Sequence, residues 1–155
     1  MASKKRIFLP SLCTKNEPKS LSYFYVINQS PLALRRPRYS YSRIYDSQKN
    51  EKLIMGITLK SQHDVYQEGP ITGLLHFDFN FFFKLPVNKN KRASLIEQKY
   101  HNYKPDISNL IKMVEDICVD AGIIQDDSLI SSICSKKLYC VDGEPRTEFV
   151  ITRLQ

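Results

Sequence analysis

The stretch ITGLLHFDFNFFFK, residues 71–84, constrains the fold more than any other part of the chain. Leu75, Phe77, Phe79, Phe81 and Phe83 alternate with His76, Asp78, Asn80 and Phe82. A side-chain period of two sends alternate residues to opposite faces of a strand, so the segment predicts a strand with one core face and one more polar face. Other elements must then pack over the aromatic face.

Around this strand the pattern is less regular. Residues 21–28, LSYFYVIN, are rich in aromatic and branched side chains and predict another strand. Pro31 and Pro37 predict loop over 30–44. Asp46 or Ser47 can cap a helix over about 47–61, with Leu53, Ile54 and Ile57 as its apolar stripe and Gly56 interrupting it. A short helical turn fits 92–99. Residues 109–121 predict a helix with Leu110, Met113 or Val114, Ile117 and Ala121 toward the core, and Gly122 suits its exit. Residues 129–141 and 147–154 alternate as two strands of a hairpin about Asp142-Gly143-Glu144-Pro145. The order β-α-β-α-β-β predicts an α/β (α+β) class, a two-layer single domain over 21–155 with a mixed β-sheet packed on helices. A polar, loosely ordered arm over 1–20 is expected before it.

Composition bounds the function. With 42% hydrophobic and 25% charged residues the chain has an ordinary globular balance. No apolar run approaches the roughly 18–20 residues that span a bilayer, and Pro10 breaks the only apolar step of the basic N-terminus, so neither a membrane span nor a signal peptide is expected. Cys13, Cys118, Cys134 and Cys140 form no C-x-x-C pair, which argues against structural zinc and for reduced thiols in a cytoplasmic setting. The net charge of +7 is clustered. Residues 84–104 carry Lys84, Lys89, Lys91, Arg92, Lys99 and Lys104 against Glu97 alone, and RRPRYSYSR (35–43) carries Arg35, Arg36, Arg38 and Arg43 interleaved with tyrosines. Such loops either bind a phosphate backbone or simply keep the surface solvated.

The acids of YHNYKPDISNLIKMVEDICVDAGIIQDD (100–127) admit two readings. In one, Asp106 or Ser108 caps a helix, Lys112 and Asp116 form an exposed i,i+4 pair, and Asp126-Asp127-Ser128 is a turn. In the other, a chain reversal after the helix brings Asp127 back toward Asp106, and the carboxylates hold Mg²⁺ and, through it, a phosphodiester. Lys112 would then offset charge on phosphate oxygens or orient the attacking water.

The stretch KPDISNLIK, a helix to Gly122, and IIQDDSLI resembles the signature of RusA-type Holliday junction resolvases, K-P-D-x-D-N-L-x-K followed by a hydrophobic pair and D-D-x-x-I/V. YVINQSPLALRRPR resembles the family's first strand and R-P-R loop; FFFKLPVNKNKR with His101 resembles its aromatic strand, basic loop and histidine. The resemblance covers roughly residues 22–153. It implies a homodimer that binds four-way junctions or other branched DNA and cuts strands by Mg²⁺- (or Mn²⁺-) dependent hydrolysis, in DNA recombination and repair, in a bacterial, phage or prophage setting. Asp106 and Asp127 match family metal ligands, Lys112 its catalytic lysine, Asn109 its asparagine and Asp126 the first acid of the pair. Arg35, Arg36, Arg38, Lys89, Lys91, Arg92 and Lys104 are the expected DNA contacts.

Ser108 departs from the pattern, because the family ordinarily has a ligating carboxylate there. A hydroxyl is a far poorer Mg²⁺ ligand, acting at best through a metal-bound water. Three outcomes are open: a weaker site on Asp106, Asp127 and Asp126; a substitute acid, for which Asp78 is the candidate; or junction binding with little or no cleavage. An RNA-binding domain is a further alternative, but RNA binding does not need the acid-lysine pattern.

Overall fold

The computed structural model of the chain describes residues 21–141 and 143–154, and for residues 89 and 90 the backbone alone. The expected arm over 1–20, Cys13, and Asp142 of the expected turn lie outside the described residues. The elements run β1 (Ser22–Ile27), β2 (Arg38–Ser40), β3 (Arg43–Tyr45), α1 (Lys49–His63), β4 (Leu75–Lys84), α2 (Lys89–Gln98), α3 (Ile107–Asp120), a 3₁₀ turn (Asp127–Leu129), β5 (Ile130–Cys140) and β6 (Arg146–Arg153). A mixed four-stranded sheet in the order β1-β6-β4-β5 packs on the helices, and β2 and β3 form a separate hairpin. No described helix is long and apolar enough to cross a membrane.

The aromatic strand takes the central role its pattern demands. Phe77, Phe79 and Phe81 are buried on the face that meets Leu110, Met113 and Ile117 of α3, and Phe149 of β6 stacks beside them. Its other face is the more polar one expected, and His76 and Asp78 on it are buried too, because β4 is an interior strand flanked by β5 and β6. The last two strands are also not a hairpin. Strand β4 lies between them, pairing parallel with β5 and antiparallel with β6. Alternation reveals a strand's faces, but its neighbour is decided by which strand completes the aromatic layer.

Helix α1 reverses its expected phase. Met55, Leu59 and His63 are buried, whereas Leu53, Ile54 and Ile57 face outward. The buried side is held by His63, whose Nε2–H donates to the Gly69 carbonyl (2.7 Å), leaving Nδ1 to accept from the Tyr25 hydroxyl (2.8 Å). Gln48, rather than Asp46 or Ser47, occupies the N-cap position of α1, and its side chain is spent elsewhere. Its Oε1 accepts from Arg35 N (2.7 Å) and its Nε2 donates to Ala33 O (2.9 Å), pinning the arginine loop to the start of the helix. The β2–β3 hairpin forms within and just beyond residues 30–44, expected as loop, and the basic segment folds as the ten-residue helix α2 rather than a short turn.

Helix α3 matches its periodicity, burying Leu110, Met113, Val114, Ile117 and Cys118. Each such side chain contributes about 1.5–3 kcal/mol when removed from water. It ends in a Schellman motif: Gly122 sits at φ +66°, its N–H donates to Val119 O (3.0 Å), and Ile123 N–H donates to Cys118 O (2.8 Å). That reversal drives Ile123 and Ile124 into the core and leaves Asp126 and Asp127 outside, turned back along α3.

Candidate active site

The approach to α3 is strapped to the outer edge of β5. Lys99 O accepts from Tyr139 N (2.8 Å), His101 N donates to Lys137 O (2.9 Å), and Lys137 Nζ donates to the carbonyls of Pro105 (2.7 Å) and Tyr103. His101 stacks on Phe83 with ring centroids 4.1 Å apart and tilts against Tyr139. Burial, with the Lys137 ammonium nearby, pushes this imidazole below its usual range and keeps it neutral. Asp106 then enters at the N-cap of α3 in an extended conformation, and its carboxylate makes no capping hydrogen bond. The helix-cap reading of Asp106 therefore does not account for its side chain. Asp106 and Ser108 line one shallow hollow of about 510 Å³ with His101, Ser135, Lys136 and Lys137.

One turn along α3 the charges change sign. Lys112 Nζ lies 2.6 Å from Asp127 Oδ2, 3.3 Å from Asp116 Oδ1 and 3.8 Å from Glu115 Oε2. The Schellman reversal delivers Asp127, while Glu115 and Asp116 come from the helix itself, at i+3 and i+4. The Asp127 hydrogen bond foremost, with Asp116 adding, holds the Lys112 ammonium well above its usual range, so this lysine is a fixed cation. Glu115 is raised by burial, against the pull of Lys112. Asp126 is spent locally: its Oδ1 accepts from Ser128 N (2.8 Å), capping the 3₁₀ turn, and the Ser128 hydroxyl foremost, with that N–H, lowers its pKa.

Among the described residues no three of His, Cys, Asp and Glu converge as a ready-made metal cage. Asp106 lies in the hollow with Ser108, and Asp127 lies on Lys112. Ser108 and Lys112 are one helical turn apart, which brings their Cβ atoms to about 5–6 Å. Asp78 is no substitute acid: it is buried on β4, one step out of phase with the phenylalanines that face α3.

The expected DNA contacts whose side chains are described are all exposed. Arg35, Arg36 and Arg38 are exposed, and Leu34 N–H donates to Asn109 O (2.9 Å), which ties their loop to the first turn of α3. Lys91 and Arg92 are exposed on α2 and Lys104 on the loop before Asp106; the Lys89 side chain lies outside the described residues. Three neighbours escaped sequence reasoning. Glu115 was recoverable from its i,i+3 spacing to Lys112. Lys136 and Lys137 were not, since only the β4–β5 register and the 99–101 strap bring them to Asp106, together with the His101 that the resemblance had singled out.

Residues 29–152 match the family model described as endodeoxyribonuclease RusA. No curated protein matches the chain. The match spans well over half of the 155 residues and contains Asp106, Ser108, Lys112 and Asp127. The chain belongs to the RusA endodeoxyribonuclease family, a family of Holliday junction resolvases.

Proposed function

We propose that the chain is a Mg²⁺-dependent, structure-selective endodeoxyribonuclease that cuts Holliday junctions or other branched DNA in recombination and repair. The observation that carries this reading is the ion pair between Asp127 and Lys112, one helical turn from Ser108 and the hollow it shares with Asp106. The donors fit a hard cation. They are carboxylate and hydroxyl oxygens, and the Asp106 carboxylate is not spent on capping. Asp106 and Asp127 would hold Mg²⁺ (or Mn²⁺), with Asp126 beside them and Ser108 contributing through water. When bound, the ion supplies a polarised phosphate and a more acidic water.

The chain's own residues supply the rest. Hydrolysis adds water to phosphorus, breaks one P–O bond and builds negative charge on the non-bridging oxygens. Lys112, permanently charged, offsets that charge and keeps Asp127 oriented. The arginine loop, Lys91, Arg92 and Lys104 hold neighbouring phosphates, Lys89 completing the set by its position in sequence.

A homodimer is part of the proposal, so that two sites act on two strands. Its surface is the outer face of α1, where Leu53 and Ile57 border a groove of about 620 Å³. The rim carries Lys49, Lys52 and Lys60 against Asp46, Asp64 and Asp120, so this patch is neutral on a chain of charge +7. Two strongly basic chains repel except at such a patch, and a face bearing both signs is self-complementary about a two-fold axis. A reducing, cytoplasmic setting agrees with the buried thiols of Cys118 and Cys140, neither of which forms a disulfide.

Ser108 favours one alternative, a junction-binding protein with weak or no cleavage. The test is Ser108→Asp, assayed by four-way junction cleavage across a Mg²⁺ titration. A restored third carboxylate should lower the Mg²⁺ needed and raise the rate by about tenfold or more, since a carboxylate replaces a neutral oxygen on a divalent ion. No cleavage by either protein selects the binding-only reading, and a loss on substitution contradicts the assignment of Ser108 as a lapsed ligand.

A further inference from the structure

The β2–β3 hairpin is a free-standing ribbon whose six strand residues are all exposed. Ser40 pairs with Arg43, so the turn consists of Tyr41 and Ser42, at φ +45° and +66°. Two positive φ values define the tight hairpin turn that ordinarily recruits Asn-Gly. A tyrosine held there is strained, and its ring buries nothing in return: Tyr41 is 100% exposed. Strain of that kind without local packing points to a role outside the fold.

The ribbon's surroundings say what that role is. Opposed residues share a face, so Tyr39 and Ile44 make one side, while Arg38 and Arg43 lie together on the other. Both ends are anchored at the candidate site. Leu34 is bonded to Asn109 on α3, and Asp46 pairs with Lys52 (2.9 Å), which reaches toward Asp116 (3.9 Å) beside Lys112. The three-residue step from Arg38 to Tyr41 carries the ring about 10 Å beyond that base.

We infer that Tyr41 is a specificity-determining residue that stacks on a base exposed at the branch point of the DNA, while Arg38 and Arg43 hold the adjoining phosphates. This rests on the branched-DNA reading above and adds what distinguishes a branch from a duplex: an accessible base face. An aromatic ring on a basic ribbon recognises any unstacked base without regard to sequence, whereas a continuous duplex offers it none.

The experiment compares the full chain with Tyr41→Ala, Tyr41→Phe and Tyr41→Gly on a four-way junction carrying 2-aminopurine at the branch point and on a linear duplex of the same sequence. Tyr41→Ala and Tyr41→Gly should lose about tenfold in junction affinity and lose the quenching of 2-aminopurine, with duplex affinity unchanged. Tyr41→Phe should keep both. Tyr41→Gly should also melt at the same or a higher temperature, since glycine relieves the turn, which separates a binding role from a structural one. Equal losses on junction and duplex overturn the proposal. So do wild-type affinities in Tyr41→Ala, which would leave the ring to a protein partner. A wild-type chain that binds junction and duplex equally contradicts the branched-DNA reading itself, by a result no tyrosine variant can produce.

Discussion

Helix α3 buries the residues its periodicity selects, whereas α1 leaves Leu53, Ile54 and Ile57 61–63% exposed and turns Met55, Leu59 and His63 inward. The two helices pack on one another and on the same sheet, so environment alone does not separate them. What differs is the number of surfaces each must satisfy. Helix α3 has one apolar stripe and one core, and its remaining flank carries Lys112, Asp116 and Glu115. Helix α1 has two apolar surfaces. Its inner one is completed by the polar His63, locked by Tyr25 and Gly69, and its outer one is purely aliphatic. The outer surface is the one proposed above as the face of a homodimer.

The sharpest way to break that comparison is truncation. Leu110→Ala removes a fully buried side chain beneath the site and should destabilise the chain by about 2–5 kcal/mol in denaturant unfolding. A much smaller loss would mean that α3 is not the core helix described.

A middle-sized effect concerns the strap that carries Asp106. His101 has its folded pKa below the usual value of about 6.5, so the folded chain resists the proton that the unfolded chain accepts. Stability from this group is fully present above that pH and declines as the pH falls below it, because the unfolded state binds more protons there. Unfolding free energies from about pH 7 to about pH 5 should show a slope that His101→Phe flattens. An unchanged slope in the variant would remove His101 from the account.

Smallest in folding terms, yet decisive for the comparison, is Ile57→Glu. On an exposed position it should change monomer stability by no more than about 0.5 kcal/mol. The same substitution should convert a dimer to a monomer in sedimentation. A dimer that survives it places the interface elsewhere than on α1.

Much of this molecule is legible in its sequence. The alternation of Phe77, Phe79 and Phe81 marks the core strand, the spacing of Leu110 to Ile117 marks α3, and Gly122 marks its end, because each depends on local periodicity or on one residue's backbone freedom. The order of the sheet was not legible. Residues 129–141 and 147–154 look like a hairpin locally, and only the pairing of each with β4 separates them. The site divides along the same line. Asp106, Lys112 and Asp127 stand in a recognisable pattern, while Lys137, which fixes the loop before Asp106 from across the sheet edge, carries no local signal. The phase of α1 misleads for a third reason: composition cannot say which of two apolar stripes faces inward.

The central claim is that Asp127, brought back onto Lys112 by the reversal at Gly122, belongs to a working Mg²⁺ site for DNA hydrolysis. Cleavage of a four-way junction by the wild-type chain and by Asp127→Asn, each with and without Mg²⁺, tests it most directly. Cleavage is expected from the wild type only with the cation, and at about a hundredfold lower rate or less from Asp127→Asn, on the order of 3 kcal/mol of transition-state stabilisation. Metal-dependent cleavage at the wild-type rate by Asp127→Asn would contradict it.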